Sequence, residues 1–230
     1  MAKKLLYSLL MGILAGIAIG LGGFLFIIST TYISGDLGKA IGALLFPIGL
    51  FMVCTFGLHL YTGKIGLVFE SKQEKSFYLS LPIMFIGNLI GSLIIGFIFL
   101  LLFKNLFGVD EIVARANAIA QGKNTFNSFN DYLATFLKSV FCGVCVYLAV
   151  KGFALNRLKV KGIVILFFFI FLFVFAGFEH VVANMFYFTF GEGWLTWGSV
   201  FNILICLVGN SIGTIPGVLL IKLINKKNEA

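Results

Sequence analysis

Two short stretches carry most of the polar chemistry of an otherwise apolar chain. One reads FGLHLYTGKIG, from Phe56 to Gly66, and the other AGFEHVVANMF, from Ala176 to Phe186. Each sets glycine beside polar side chains within an apolar run. Unwound backbone at membrane depth is tolerated only where protein covers it or water reaches it. Glu179 and His180 are ionisable groups inside such a run, where they are costly and by default point to function. One reading of His180 is a neutral imidazole hydrogen-bonded within a bundle. The other brings Thr62 of the first stretch to His180 of the second, where hydroxyl and imidazole could donate to a small anion. Histidine could also trade a proton with a weak-acid anion, because its reference pKa of about 6.5 lies near physiological pH. A carboxylate in an anion path would repel its cargo. Glu179 is therefore expected to point away, accepting from backbone amides or Asn side chains. Asn88, Asn184 and Asn210 are buried amides that need partners, and they read as structural support for the broken backbone. Lys64 could draw anions to a cytoplasmic mouth or simply set topology. Phe46 and Phe173 each precede a break, at distances read as similar, and could narrow a pore.

The elements that hold these residues must lie in lipid. The chain has 230 residues, is 60% hydrophobic and only 11% charged, with a mean hydropathy of +1.07. A soluble domain would be about a quarter charged. Long unbroken apolar runs favour helices over the short alternating segments of a β-barrel. The net charge of +8 sits in short loops, where topology explains it better than nucleic acid does. Cys54, Cys142, Cys145 and Cys206 all fall in apolar stretches, which supports neither a zinc site nor a disulfide framework. No metal, cofactor or enzymatic motif such as HExxH is expected. Lys3 and Lys4 before an apolar run imitate a signal peptide, but the run is long enough to read as a first transmembrane helix.

Six apolar segments follow, at about 5–30, 41–68, 77–103, 132–153, 162–190 and 200–224. The second is interrupted near 57–63 and the fifth near 177–184. Lys and Arg divide between the two sides as 12 (Lys3, Lys4, Lys64, Lys72, Lys75, Lys151, Arg157, Lys159, Lys161, Lys222, Lys226, Lys227) against 5 (Lys39, Lys104, Arg115, Lys123, Lys138). Both termini are then cytoplasmic. Residues 105–131 form an external loop with a surface helix around 110–120. GNLIGS (Gly87 to Ser92) and GNSIGT (Gly209 to Thr214) recur in the third and sixth segments. The expectation is an all-α membrane protein with six helices and an inverted 3+3 repeat. A single domain, 1–230, has halves at about 1–104 and 132–226, with broken second and fifth helices that mark a midplane pathway.

GFEHVVANMF (Gly177 to Phe186), LYTG (Leu60 to Gly63), GNLIG and VGNSIG resemble the corresponding motifs of the formate/nitrite transporter family, in the expected order over nearly the whole chain. The resemblance implies an aquaporin-like protomer, a homopentamer in the cell membrane and one anion pathway per protomer. It implies that His180 is the central pore histidine, Thr62 the Ω-loop threonine facing it, and Phe46, Leu50, Leu60 and Phe173 the constrictions. Formate, nitrite, hydrosulfide and small monocarboxylates are the substrates implied. The chain departs from the family's pattern at three places. Tyr7 stands where a lysine is expected, with Lys4 a turn earlier. His59 replaces a more usual acid or amide. The fourth span, FCGVCVYLAVKGF, lacks its typical asparagine, with Tyr147 or a neighbour in its place. The alternative function is a neutral-solute channel for water, glycerol or ammonia, against which the absence of the paired Asn-Pro-Ala signature counts.

Overall fold

The computed structural model describes residues 1–157 and 159–228, with side chains to residue 225; the side chains of Lys226 and Lys227, counted above for topology, lie outside the described residues. The described residues contain helices and no strands. They form α1 (Ala2–Tyr32), α2 (Gly35–Leu45), α3 (Pro47–Phe56), α4 (Tyr61–Lys64), α5 (Leu67–Glu70), α6 (Lys75–Leu100), α7 (Asp110–Asn124), α8 (Phe129–Leu155), α9 (Val160–Phe175), α10 (Val181–Phe190) and α11 (Trp197–Asn228). A π-helical turn, Leu101–Leu106, extends α6.

Five stretches are long and apolar enough to cross a membrane: α1, α2 with α3, α6 with its π turn, α8, and α11. Helices α9 and α10, of 16 and 10 residues, are each shorter than a crossing requires. The second segment begins earlier than its hydropathy suggested, at Gly35, and is interrupted once more at Phe46. The next residue, Pro47, has no N–H for the helical ladder and opens α3.

Helices α1 and α6 form one close pair, and α8 and α11 another. In both, backbone meets backbone where glycine leaves no Cβ in the way. A methyl group on Gly91 would collide with the Ile13 carbonyl, and one on Gly213 with that of Val140. Outward faces of these helices carry exposed Leu14, Ile86, Phe97, Phe141 and Leu204, an apolar surface suited to lipid. Helix α10 lies at the centre, with all ten residues buried.

The external-loop reading needs correction at α7. This helix is longer than 110–120 and is not simply a surface element. Ile112, Val113, Ala116 and Ala120 share a buried face at i, i+1, i+4 and i+8 spacing. The face packs on α10, and of the polar residues near its end Lys123 and Asn124 turn inward to Glu179 and Gly193 while Gln121 stays exposed.

Candidate functional site

Each broken segment is interrupted in the same manner. Helix α3 ends at Gly57, whose φ of 66° is left-handed, and α9 ends just before Gly177, with a φ of 72°. This is the conformation glycine adopts at least cost at a helix C-terminus. Leu58 N–H then donates back to Val53 O, and Phe178 N–H to Phe173 O, both at 2.9 Å. His59 N–H reaches Met11 O on α1 at 3.2 Å, as Glu179 N–H reaches Lys138 O on α8 at 3.4 Å.

One asparagine completes each break. Asn88 Oδ1 accepts from Tyr61 N–H at 2.9 Å, while its Nδ2 donates to Gly12 O and His59 O, each at 2.9 Å. Asn210 Oδ1 accepts from Val181 N–H at 2.9 Å, and its Nδ2 donates to Ser139 O and Glu179 O, each at 2.8 Å. A single amide thus satisfies the main-chain groups that unwinding would orphan. Bond by bond, Leu60 corresponds to His180 and His59 to Glu179.

Thr62, one residue into α4, meets His180 across the interface. Oγ1 and Nε2 are 2.8 Å apart, and the two residues are 1% and 3% exposed. On the other side of the ring, Nδ1 accepts from Ala183 N–H at 3.2 Å. An imidazole whose Nδ1 accepts carries its proton on Nε2. Nε2–H therefore donates to Thr62 Oγ1, which leaves the threonine O–H free to donate elsewhere.

Beside the His180 ring, Phe46, Leu50, Leu60 and Phe173 close in, with Ile19, Val146 and Ile170, on a void of about 10 Å³. That is near the smallest volume able to hold one water. The Phe46 and Phe173 rings meet edge to face at 5.6 Å. They do so from unequal distances along the chain, eleven residues before Gly57 and four before Gly177. The similar spacing expected of them is therefore incorrect; Phe46 stands at the junction of α2 and α3, and Phe173 lies in the last turn of α9.

Two larger cavities adjoin the void at opposite ends of α2–α3. One, of about 140 Å³, shares Phe46, Phe173 and His180 with it and is lined also by Lys39, Lys123, Asn184 and Tyr187. The other, of about 210 Å³, shares Leu60 and is lined by Gly63, Lys64, Val150, Phe153 and Arg157. The three share lining residues in turn, with cations in the wall of each outer cavity; His180 lines the void itself (the waist), and Thr62 joins it through its bond to Nε2.

Glu179 turns from the waist. Its Oε2 accepts from Asn184 Nδ2 at 2.6 Å and from Lys123 Nζ at 2.7 Å. Its partners are thus an amide and a lysine, with no backbone amide bonded to it among the described residues, and the lysine was not foreseen. Asn184 was read as support for the broken backbone. It instead ties α10 to Glu179 and to Asn202 Oδ1, at 2.8 Å, and borders the cavity. Lys123 and Asn202 are the members that sequence reasoning missed. Asn202 carried a signal, as an amide within an apolar span; Lys123 looked like any loop charge. Among the described residues no group of three or more His, Cys, Asp or Glu side chains could hold a metal ion.

Residues 1–224 match the family described as Formate/nitrite transporter. The chain is 36% identical over 193 residues to an uncharacterized transporter, YrhG, of Bacillus subtilis (strain 168), covering 78% of this chain and 68% of the relative. It is 29% identical to a probable formate transporter of Methanothermobacter thermautotrophicus, covering 89% and 83%. In three dimensions it is similar to a pentameric formate channel with formate bound, at a TM-score of 0.77 and 25% identity over 96% of each chain.

Proposed function

This chain belongs to the formate/nitrite transporter family, and from that premise we propose that it passes a small monovalent anion of a weak acid through a pore in each protomer. Formate, nitrite and hydrosulfide are the candidate cargoes. The protomer has six crossings, with α9 and α10 together supplying the one that neither could make alone. Its halves, about 1–104 and 132–226 within a single domain 1–230, are related as an inverted, aquaporin-like repeat. Five protomers assemble in the cell membrane with both termini in the cytoplasm, so that the cavity beside Lys64 opens inward and that beside α7 opens outward. It is a conduit, not an enzyme.

The observation that carries this reading is the Thr62–His180 pair between two lysine-bearing cavities. An ion stripped of water in an apolar passage would cost many kcal/mol without partners. Lys39 at one end, where Lys123 is neutralised by Glu179, and Lys64 and Arg157 at the other raise the local anion concentration. At the waist Thr62 O–H, ordered by His180, replaces part of the lost hydration. Phe46, Leu50, Leu60 and Phe173 exclude bulk water, which strengthens each remaining polar contact.

A proton hand-over at His180 requires the ring to take a second proton at Nδ1 and release Ala183 N–H. Transport would then change with pH through this residue. The test is flux of labelled formate, nitrite and hydrosulfide in proteoliposomes at two pH values, for the native protein and for His180→Leu and Thr62→Val. The expected result is anion uptake that falls about tenfold in each variant, the order of one hydrogen bond to a charged group, with an altered pH profile in His180→Leu. Unchanged flux and profile in both variants would remove the pair from the pathway. Osmotic swelling in glycerol, without anion uptake, would favour a neutral-solute channel instead.

A further inference from the structure

The arm after the first break is built differently from the arm after the second. Helix α10 is ten residues long and wholly buried, whereas α4 and α5 are two four-residue turns joined through Ile65 and Gly66. So short an arm has little helix of its own to hold it. A polar cluster fixes its far end to α8 and α11. Glu70 Oε1 accepts from Tyr147 O–H at 2.9 Å, and Oε2 from Lys151 Nζ at 2.5 Å. Lys222 Nζ donates to the neighbouring Phe69 carbonyl at 3.1 Å. The Glu70 and Lys151 side chains are only 20% and 24% exposed, so the ion pair is shielded from solvent. The Tyr147 ring is wedged between two glycines. A methyl group on Gly66 of the arm, or on Gly217 of α11, would come within 2.5 Å of it.

The arm is also a wall of the pathway. Gly63 and Lys64 line the cavity beside Leu60 together with Val150 and Phe153, and Gly63 lies close against Val150. Leu60 and Thr62 lie at the near end of the same short arm, so the bond that draws Glu70 onto α8 fixes how far both stand from the opposite wall. We infer that Glu70, held by Tyr147 and Lys151, is a positioning residue that sets the width of the passage at Leu60 and hence the largest monocarboxylate that passes. Upstream, Asn88 holds the arm's start; downstream, this cluster holds its end.

This rests on the pathway reading above, and the experiment separates the two. Formate and acetate uptake is measured in proteoliposomes for the native protein, Glu70→Gln, Tyr147→Phe and the charge-exchanged Glu70→Lys/Lys151→Glu. Released, the arm admits the larger anion, so the acetate-to-formate ratio rises in both single variants by up to about tenfold, the order of a charge-assisted hydrogen bond. It returns toward the native ratio in the exchanged pair. A cluster that merely stabilised the fold would lower both fluxes together and leave the ratio unchanged, and that result overturns the inference. Tyr147→Phe removes one hydroxyl and keeps the ring between its glycines, so it carries the test should Glu70→Gln not fold. Hydrogen exchange in detergent supplies a readout independent of transport: exchange quickens over residues 58–71 but not over 178–190. No quickening in either variant overturns the anchoring itself. A native protein that passes neither anion defeats the pathway reading, even with exchange behaving as stated.

Discussion

The two breaks share their hydrogen bonds but not their surroundings. Gly57 and Gly177 turn the chain alike, and Asn88 and Asn210 hold it alike. Yet Leu60 stands where His180 stands, and half-buried His59 stands where buried Glu179 stands. Of the matching pairs, only the second break supplies ionisable groups that are buried and partnered. His180 bonds Thr62 and Ala183, and Glu179 bonds Lys123 and Asn184. In the first break His59 Nδ1 finds no partner among the described residues, and its ring meets that of Tyr7 in a T-shaped contact. A common scaffold solves the backbone problem twice, and the chemistry is then loaded on one side of it.

That contrast is broken most forcefully at Lys123. Substitution Lys123→Met leaves the Glu179 carboxylate in a buried site without its cation, a change worth about 3–5 kcal/mol where a buried pair is cut. Thermal unfolding in detergent should show a large loss for Lys123→Met, with part of it recovered in Lys123→Met/Glu179→Gln. His59→Leu, at the matching place, removes an imidazole nitrogen that has no partner and should be close to neutral. Equal damage at both places would mean that Glu179 is no better integrated than His59.

Next in size are the amides. Asn88→Leu and Asn210→Leu each orphan one N–H and one carbonyl of the unwound backbone, at about 1–3 kcal/mol for a group left dry, while the Gly12 and Ser139 carbonyls keep their places in α1 and α8. Beside Asn88 the half-buried loop at His59 admits water to some of these groups, whereas Glu179 O and Val181 N–H are sealed. Unfolding should therefore be lowered more by Asn210→Leu than by Asn88→Leu. The reverse order would show that water does not reach the first break.

The scaffold was legible in the sequence because its requirements are local. Left-handed glycines, GNxxG seams and the FEHVVAN stretch announce themselves over a few residues. What could not be read depends on where a distant element comes to rest. Lys123 is one of several loop lysines until α7 buries Ile112 and Ala116 and carries it to Glu179. Phe46, at the junction of α2 and α3, meets Phe173 of α9 only once those distant helices pack together. The Glu70–Tyr147–Lys151 cluster joins residues up to 81 positions apart, and no short window contains it. Five crossings are apparent from length alone. The apolar run 162–190 is missing from that count because the break at Gly177 divides it into two helices of ordinary soluble length.

The smallest effect should come from the glycines, and it is the most direct measure of how alike the two breaks are. An alanine methyl at Gly57 or at Gly177 would find nothing within 4 Å. Packing therefore contributes nothing at either place, and only the strain of an L-residue at positive φ remains, about 1–2 kcal/mol. Gly57→Ala and Gly177→Ala should then destabilise by nearly the same amount in unfolding experiments. Their effects on anion flux should differ, because strain relieved by rotation at 177 displaces His180, whereas the same rotation at 57 displaces Leu60. Equal stability loss with unequal flux loss is the signature of one backbone device carrying two different side chains. Unequal stability loss would place the difference between the halves in the turns themselves rather than in the residues mounted on them.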